Sequence, residues 1–373
     1  MVTTGIRKTG MVKLLAVLTG ACASLLAAAL PSAANPQLVV DVNSLKVYEQ
    51  QEIYQKWYPA SLTKLMTAYT TFRALKSGQL TLESPVVMTK NAAGEPPSKM
   101  FYKPGQAVTL DSALKMLLIK SANDIAVAIG ETVAGSEPAF VNLMNSEAKR
   151  IGMTSSHFIN PNGLPGAGQY TTARDLAVLA ITIKREFPQY APYFAYEGFT
   201  TGKKNYPNLN MLIGRFDGAD GMKTGFICAS GFNQVSSATR NGRAVVSVVL
   251  GADSLGGRAD ESARLLQLGL TSTGVGKPGL TQIAPYGETR DMVADVSKEI
   301  CNPKAAKIRS ENRDEVGRQK LMSPYIHQID RPLNLVAAGL IPGTEKAGSV
   351  KGQTETAQGD VANVPIPVPR PVF

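Results

Sequence analysis

A serine and a lysine three residues apart can act as nucleophile and base, provided the amine is uncharged and the two side chains meet. The sequence holds three such tetrads, Ser61-x-x-Lys64, Ser112-x-x-Lys115 and Ser146-x-x-Lys149. It also holds two Ser-x-Asn triplets, starting at Ser121 and Ser310, and two Lys-Thr-Gly triplets, starting at Lys8 and Lys223. Position decides among them. Ser112/Lys115 and Ser146/Lys149 fall inside helix-periodic stretches, where side chains lie along the flank, away from the free amides of a helix end. Both pairs are expected on a solvated surface. Ser61 instead follows Pro59-Ala60 at the start of a periodic segment. There, unpaired N–H groups and the positive dipole end stabilise negative charge growing on a carbonyl oxygen. Lys64, one turn on, returns to the same face.

Two further motifs complete the constellation. Ser121 and Asn123 follow the apolar run "KMLLIK" at an expected helix end. Ser121 can relay a proton, and Asn123 can orient Lys64 and a substrate amide. Lys223, Thr224 and Gly225 precede a hairpin, where a strand edge can pair with a peptide backbone. The charge of Lys223 would depress the pKa of Lys64 and attract anionic groups. Thr224 adds a hydroxyl, and Gly225 keeps the edge clear. Ser310 lies in a charged segment and is expected to be solvated. Lys8 lies in a leader.

The elements that must position these residues are legible as changes of period. "QLVVDVNSLKVYEQ" reads as two short strands. From residue 60, Leu62, Leu65, Met66, Tyr69, Phe72 and Leu75 recur at three and four, an amphipathic helix that stops at Gly78. Further helices follow over "TLDSALKMLLIKSAND", with Thr109 as N-cap, and over "DIAVAIGETVAG", "EPAFVNLMNSEAKRIG" and "TTARDLAVLAITIKREF", the last capped by Thr171 or Thr172. After residue 220 the period returns to two. Asn241-Gly242 joins two strands, and "RADESARLLQLGL" closes the domain as a helix. Strands at both ends of a helical middle predict an α+β antiparallel sheet flanked by helices, with a helical subdomain.

Residues 1–34 read as a signal peptide: Arg7, Lys8 and Lys13, then an Ala/Leu-rich run to Leu30, then Ser32-Ala33-Ala34. An uncleaved membrane anchor is the alternative. Either way the chain is expected to be exported and periplasmic, with membrane association possible. Cleavage lowers the net charge from +10 to +7, which suits solubility or an anionic polymer. No basic patch interleaved with aromatics points to nucleic acid. The domain is expected over 35–275, a C-terminal region of uncertain fold over 276–345, and an extended Pro-rich tail over 346–373. Only His157 and His327 are present, so a Ser-His-Asp enzyme or a zinc hydrolase has little to draw on. His157 is expected to be half-buried and structural. No cofactor or metal is expected. Cys228 and Cys301 fall in different regions and are expected to stay apart.

Ser-x-x-Lys, Ser-x-Asn and Lys-Thr-Gly in this order resemble the signature of penicillin-recognising serine enzymes. From about 37 to 272 the chain is similar to the D-alanyl-D-alanine carboxypeptidases, low-molecular-mass penicillin-binding proteins. The similarity is carried by "ASLTKLMTAY", "LLIKSANDIAVAIGE", "FINPNGLPGAGQYTTARDLA", "DGMKTGFICASGFN" and "GRADESARLLQLG". The resemblance implies a β-lactamase/transpeptidase-like fold, Ser61 as nucleophile, Lys64 as base, Ser121 and Asn123 as relay, and Lys223-Thr224-Gly225 as the substrate strand. It further implies Phe226 as donor of the second oxyanion amide, and Arg258 as a partner of the substrate's terminal carboxylate. The implied substrate is a peptidoglycan stem peptide ending in D-Ala-D-Ala, and β-lactam antibiotics are implied inhibitors. Ile227 and Ser230 depart from the family pattern, and the family's C-terminal β-domain and amphipathic anchor are not seen. A DD-endopeptidase, a β-lactamase and a non-catalytic wall-binding protein remain alternatives. Against a carboxylate-dependent lactamase, Glu131, Glu137, Glu147, Glu186 and Glu197 all lack an Asn three residues on.

Overall fold

A computed structural model describes residues 1–2, 35–305, 307 and 319–346. The leader with its Lys8 triplet, Ser310 and the tail after residue 346 lie outside the described residues. The chain opens with β1 (Gln37–Asp41), β2 (Val47–Gln51) and α1 (Thr63–Lys76). A helical middle follows: β3 (Pro85–Val87), α2 (Lys90–Gly94), β4 (Ala107–Thr109), α3 (Leu110–Lys115), α4 (Asn123–Ala134), α5 (Glu137–Arg150), α6 (Ala173–Glu186) and α7 (Pro192–Ala195). Then come β5 (Gly198–Thr200), β6 (Asn205–Pro207), β7 (Ala219–Ile227), β8 (Gly231–Arg240), β9 (Arg243–Ala252), α8 (Leu255–Thr271), α9 (Ser297–Ile300) and β10 (Leu335–Ala337).

Strict alternation builds the main sheet and both of its cores. Leu38, Val40, Val246, Val248 and Leu250 face one side and pack with α1 and α6. Val39, Val245 and Val249 face the other and pack with Ala259, Ala263 and Leu266 of α8. A residue shift would invert both faces, so the register is strongly determined. The strands run antiparallel in the order β2-β1-β9-β8-β7. Asn241 and Gly242 turn β8 into β9, both at positive φ, as the hairpin signal requires. Among the described residues β7 is an edge, so the amides it turns away from β8 have no strand partner there.

Helix starts follow their cap residues. Thr109, Ser136, Thr172 and Ser254 each accept a bond from a backbone N–H three residues on, a contribution of about 1 kcal/mol apiece. α1 is not the surface helix its period suggests. Thr63, Thr67, Thr70 and Thr71 are buried along with its apolar stripe. Most of the polar face is tolerated because hydroxyls reach carbonyls, Thr71 Oγ1 donating to Thr67 O at 2.7 Å and Thr67 Oγ1 to Pro161 O at 2.6 Å, while Thr70 Oγ1 has no partner among the described residues. α1 is therefore the central post between the sheet and the helical layer.

After residue 275 the described chain lies against the domain. Gln55 Nε2 donates to Met292 O at 2.6 Å, Ala294 N donates to Lys56 O at 3.0 Å and Val296 N to Ala229 O at 3.1 Å. β10 pairs in parallel with β5. The same docking corrects the expectation for the cysteines. Cys228, in the turn after β7, and Cys301, after α9, form a disulfide with a Cα–Cα distance of 5.5 Å. The hydrogen bonds of 294–296 bring the two regions together, which sequence separation concealed. The bridge closes a loop of 73 residues, so replacing both cysteines by serine is expected to lower stability by about 2–4 kcal/mol. Thermal melts of the oxidised, reduced and double-serine proteins check this, reduced and double-serine melting alike.

Candidate active site

The start of α1 is built around Ser61. Residues Ala60–Leu62 form a single 3₁₀ turn before the helix. Asn233 of β8 fastens the approach, donating from Nδ2 to Tyr58 O at 3.0 Å and accepting from Gly251 N at 2.9 Å. Lys64, one turn along, is 0% exposed. Its Nζ lies 3.0 Å from Ser61 Oγ, 2.7 Å from Asn123 Oδ1 and 2.6 Å from Asn162 O. Burial, then the charge of Lys223, hold its pKa well below the lysine range, while Glu95 and Asp124 oppose them. The contacts suit a neutral amine. Two carbonyl oxygens accept its two N–H bonds, and its lone pair is left for the Ser61 hydroxyl proton.

Asn123 is itself held, donating from Nδ2 to Pro96 O at 2.9 Å and from its backbone N to Ser98 O at 2.7 Å. The next residue, Asp124, accepts from Met100 N at 2.8 Å and from Phe101 N at 3.0 Å. The Ser-x-Asn triplet thus anchors the loop that rims the cleft. Ser121 sits past the π-turn Met116–Lys120 with φ of 65°, a left-handed conformation that costs a non-glycine residue of order 1 kcal/mol. Its Oγ is buried and has no partner among the described residues.

β7 forms the facing wall. Gly225 passes so close to Ser61 that a Cβ there would lie 3.0 Å from both Pro59 O and Ser61 N. Glycine is needed here for approach, not for its backbone freedom. Lys223 is 1% exposed, and burial followed by the Arg258 charge lowers its pKa to about 7. Arg258 lies near the start of α8. It is 3% exposed. Among the described residues its Nε has no hydrogen-bond partner, its Nη2 reaches Leu209 O at 3.5 Å, and the guanidinium carbon lies 6.0 Å from the Phe232 ring centre. A guanidinium so poorly satisfied is costly unless an anion joins it. Ser61, Ser121, Asn123, Thr224, Phe226 and Arg258 all line one cleft of about 270 Å³.

Residues 25–254, more than half of the chain, match the D-alanyl-D-alanine carboxypeptidase family. The chain belongs to that family. DacC, a D-alanyl-D-alanine carboxypeptidase of Escherichia coli strain K12, is 38% identical over 239 residues, 62% of this chain and 60% of that protein. DacA of Haemophilus influenzae is 31% identical over 306 residues, 79% of this chain and 78% of that protein. Among solved structures, penicillin binding protein 5 from Haemophilus influenzae is 34% identical with a TM-score of 0.61, over 64% of this chain and 71% of that one. Penicillin-binding protein D2 from Listeria monocytogenes, in its ampicillin bound form, is 26% identical with a TM-score of 0.59, over 64% of this chain and 98% of that one. As a family member, the chain is a low-molecular-mass penicillin-binding protein of the serine carboxypeptidase type.

The carboxypeptidase cleft excludes the rival motifs. Ser112 was expected to be solvated but is buried, its Oγ accepting from Gly339 N at 3.3 Å, while Lys115 pairs with Asp111 at 2.6 Å. The docked C-terminal region covers that helix, which the helix period could not reveal. Ser146 and Lys149 are exposed. Glu131, Glu137, Glu147, Glu186 and Glu197 bond elsewhere, to Thr89, Asn91, Arg150, Tyr69 and Arg331 respectively, and none lines the cleft. His157 is exposed rather than half-buried. Its Nδ1 lies 2.8 Å from Gly168 O, still a turn-holding role. Sequence reasoning missed Asn162 and Glu95. Asn160-Pro161-Asn162-Gly163 has the composition of a turn, but Gly163 has φ of +85° and a Cβ there would sit 1.8 Å from Ala60 O. That Asn-Gly pair, inside a stretch quoted for the family likeness, was the signal available.

Proposed function

We propose that Ser61 is the nucleophile of a D-Ala-D-Ala carboxypeptidase acting on peptidoglycan stem peptides. The observation that carries this is the buried Lys64 amine, 3.0 Å from Ser61 Oγ with carbonyl acceptors for both of its N–H bonds. Lys64 takes the hydroxyl proton as Oγ bonds the carbonyl carbon between the two D-alanines. Negative charge passes to the carbonyl oxygen, which the amides of Ser61 and Phe226 receive. The C–N bond then breaks. The leaving D-alanine nitrogen takes the proton back from Lys64, relayed by Ser121. Water, deprotonated by Lys64, attacks the ester carbon and frees Ser61. The peptide lies along the β7 edge, and Arg258 with Thr224 binds its terminal carboxylate, which would complete the unpaired guanidinium. A β-lactam presents the same amide and stops at the ester.

This work belongs outside the cytoplasm, and the charged, then Ala/Leu-rich leader supports export, with membrane association through that segment. Among the described residues no helix is long and apolar enough to cross a membrane. Incubating the protein with a fluorescent penicillin and mapping the adduct by mass spectrometry tests the reading. One adduct on the peptide containing Ser61 is expected; an adduct on another serine, or none, would refute it.

A further inference from the structure

The contacts of Lys64 do not end at its three partners. Asn162, whose carbonyl accepts from Lys64, is 1% exposed, and its side chain is held at both ends. Its Oδ1 accepts from Leu164 N at 2.9 Å, and its Nδ2 donates to Glu95 Oε2 at 2.8 Å. On the other side, the Asn162–Gly163 peptide is pressed against Ala60 O. The carbonyl that aims the base is therefore wedged between the nucleophile's own turn and a carboxylate 67 residues away in sequence.

We infer that Glu95 is a positioning residue for the Lys64 amine, acting through Asn162. Glu95 follows α2 and is itself located by Lys99, whose Nζ donates to Glu95 O at 2.7 Å and to Ala93 O at 2.8 Å. It does not line the cleft, so it acts without touching substrate. Two effects follow. The hydrogen bond fixes the Asn162 carbonyl, and a shift of about 1 Å in such a partner costs roughly a hundredfold in rate. The carboxylate charge also favours the ammonium form of Lys64, which must exist transiently while the serine proton is in transit. Around Glu95, burial and Glu137 of α5 oppose ionisation, while Asn162, Lys64 and Lys99 favour it. Around Lys64, Lys223 of β7 opposes Glu95 and Asp124.

This inference rests on the Ser61 reading, and its test keeps the two apart. The full-length protein is labelled first; wild type without an adduct on Ser61 refutes the Ser61 reading. With that adduct present, Glu95→Ala should slow penicillin acylation and D-alanine release about 10–100-fold through kcat rather than KM. Glu95→Gln keeps an acceptor for Asn162 and should recover to within about tenfold of wild type. It should also move the acid limb of the rate profile to lower pH, because removing the negative charge lowers the pKa of Lys64. Thermal melts at the assay pH report the folded fraction. The inference is overturned if Glu95→Ala reacts at the wild-type rate. It is equally overturned if the loss only tracks the folded fraction, or if Glu95→Gln is as slow as Glu95→Ala with its acid limb unmoved.

Discussion

The Ser61→Ala protein is expected to fold and to release no D-alanine. Loss of a nucleophile in an enzyme of this kind costs about 10⁶-fold in kcat, which leaves nothing for a D-alanine assay to read. The change removes one hydroxyl from a half-buried residue whose oxygen, among the described residues, bonds Lys64 alone, so the melting temperature should move little. Penicillin must also fail to attach, since the ester has no oxygen on which to form. Intact mass spectrometry after a long incubation with ampicillin is the direct measurement. Retained activity in the Ser61→Ala protein would move the nucleophile elsewhere, and Ser121 would be the next residue to examine.

Lys64→Met is the companion prediction, and it separates the base from the scaffold. Methionine fills most of the same buried volume but cannot accept a proton. Acylation should fall by about 10⁴-fold, the upper range for a lost general base. Stability is pulled both ways. The substitution leaves Asn123 Oδ1 and Asn162 O without the amine, at about 1–3 kcal/mol each. It also relieves the burial of an ionisable group, a cost of similar size. The net should lie within about 2 kcal/mol of wild type. A denaturant melt beside a stopped-flow acylation trace measures both; rapid acylation by a folded Lys64→Met protein would exclude Lys64 as the base.

The site was legible because its motifs sit at element boundaries. Pro59-Ala60 before Ser61, the apolar run before Ser121 and the hairpin after Lys223 all marked ends of helices or strands, and the structure brings those ends to one cleft. The main sheet was legible because its alternation is strict, as Leu38, Val39 and Val40 show by facing opposite cores in turn. What escaped has a common cause. β5, β6 and β10 are three residues each, too short to carry a period. Glu95 and Asn162 are ordinary turn and loop residues by type, and only the fold brings Oε2 to Nδ2. Burial of most of α1 was hidden because its threonines look polar, though the hydroxyls of Thr63, Thr67 and Thr71 bond within the protein. The cysteine pair escaped for the same reason as Glu95, being local in space and remote in sequence.

That pair makes the stretch from Cys228 to Cys301 a covalent ring. The ring contains β8, β9 and α8, and so carries Arg258 as well as the strand against which β7 is held. Its most open stretch is 275–278, where all four residues are exposed. A protease cutting there would break the backbone without parting the molecule. The docked C-terminal segment would stay tethered through Cys301 to Cys228, beside a cleft whose residues, 61 to 258, all lie on the other piece.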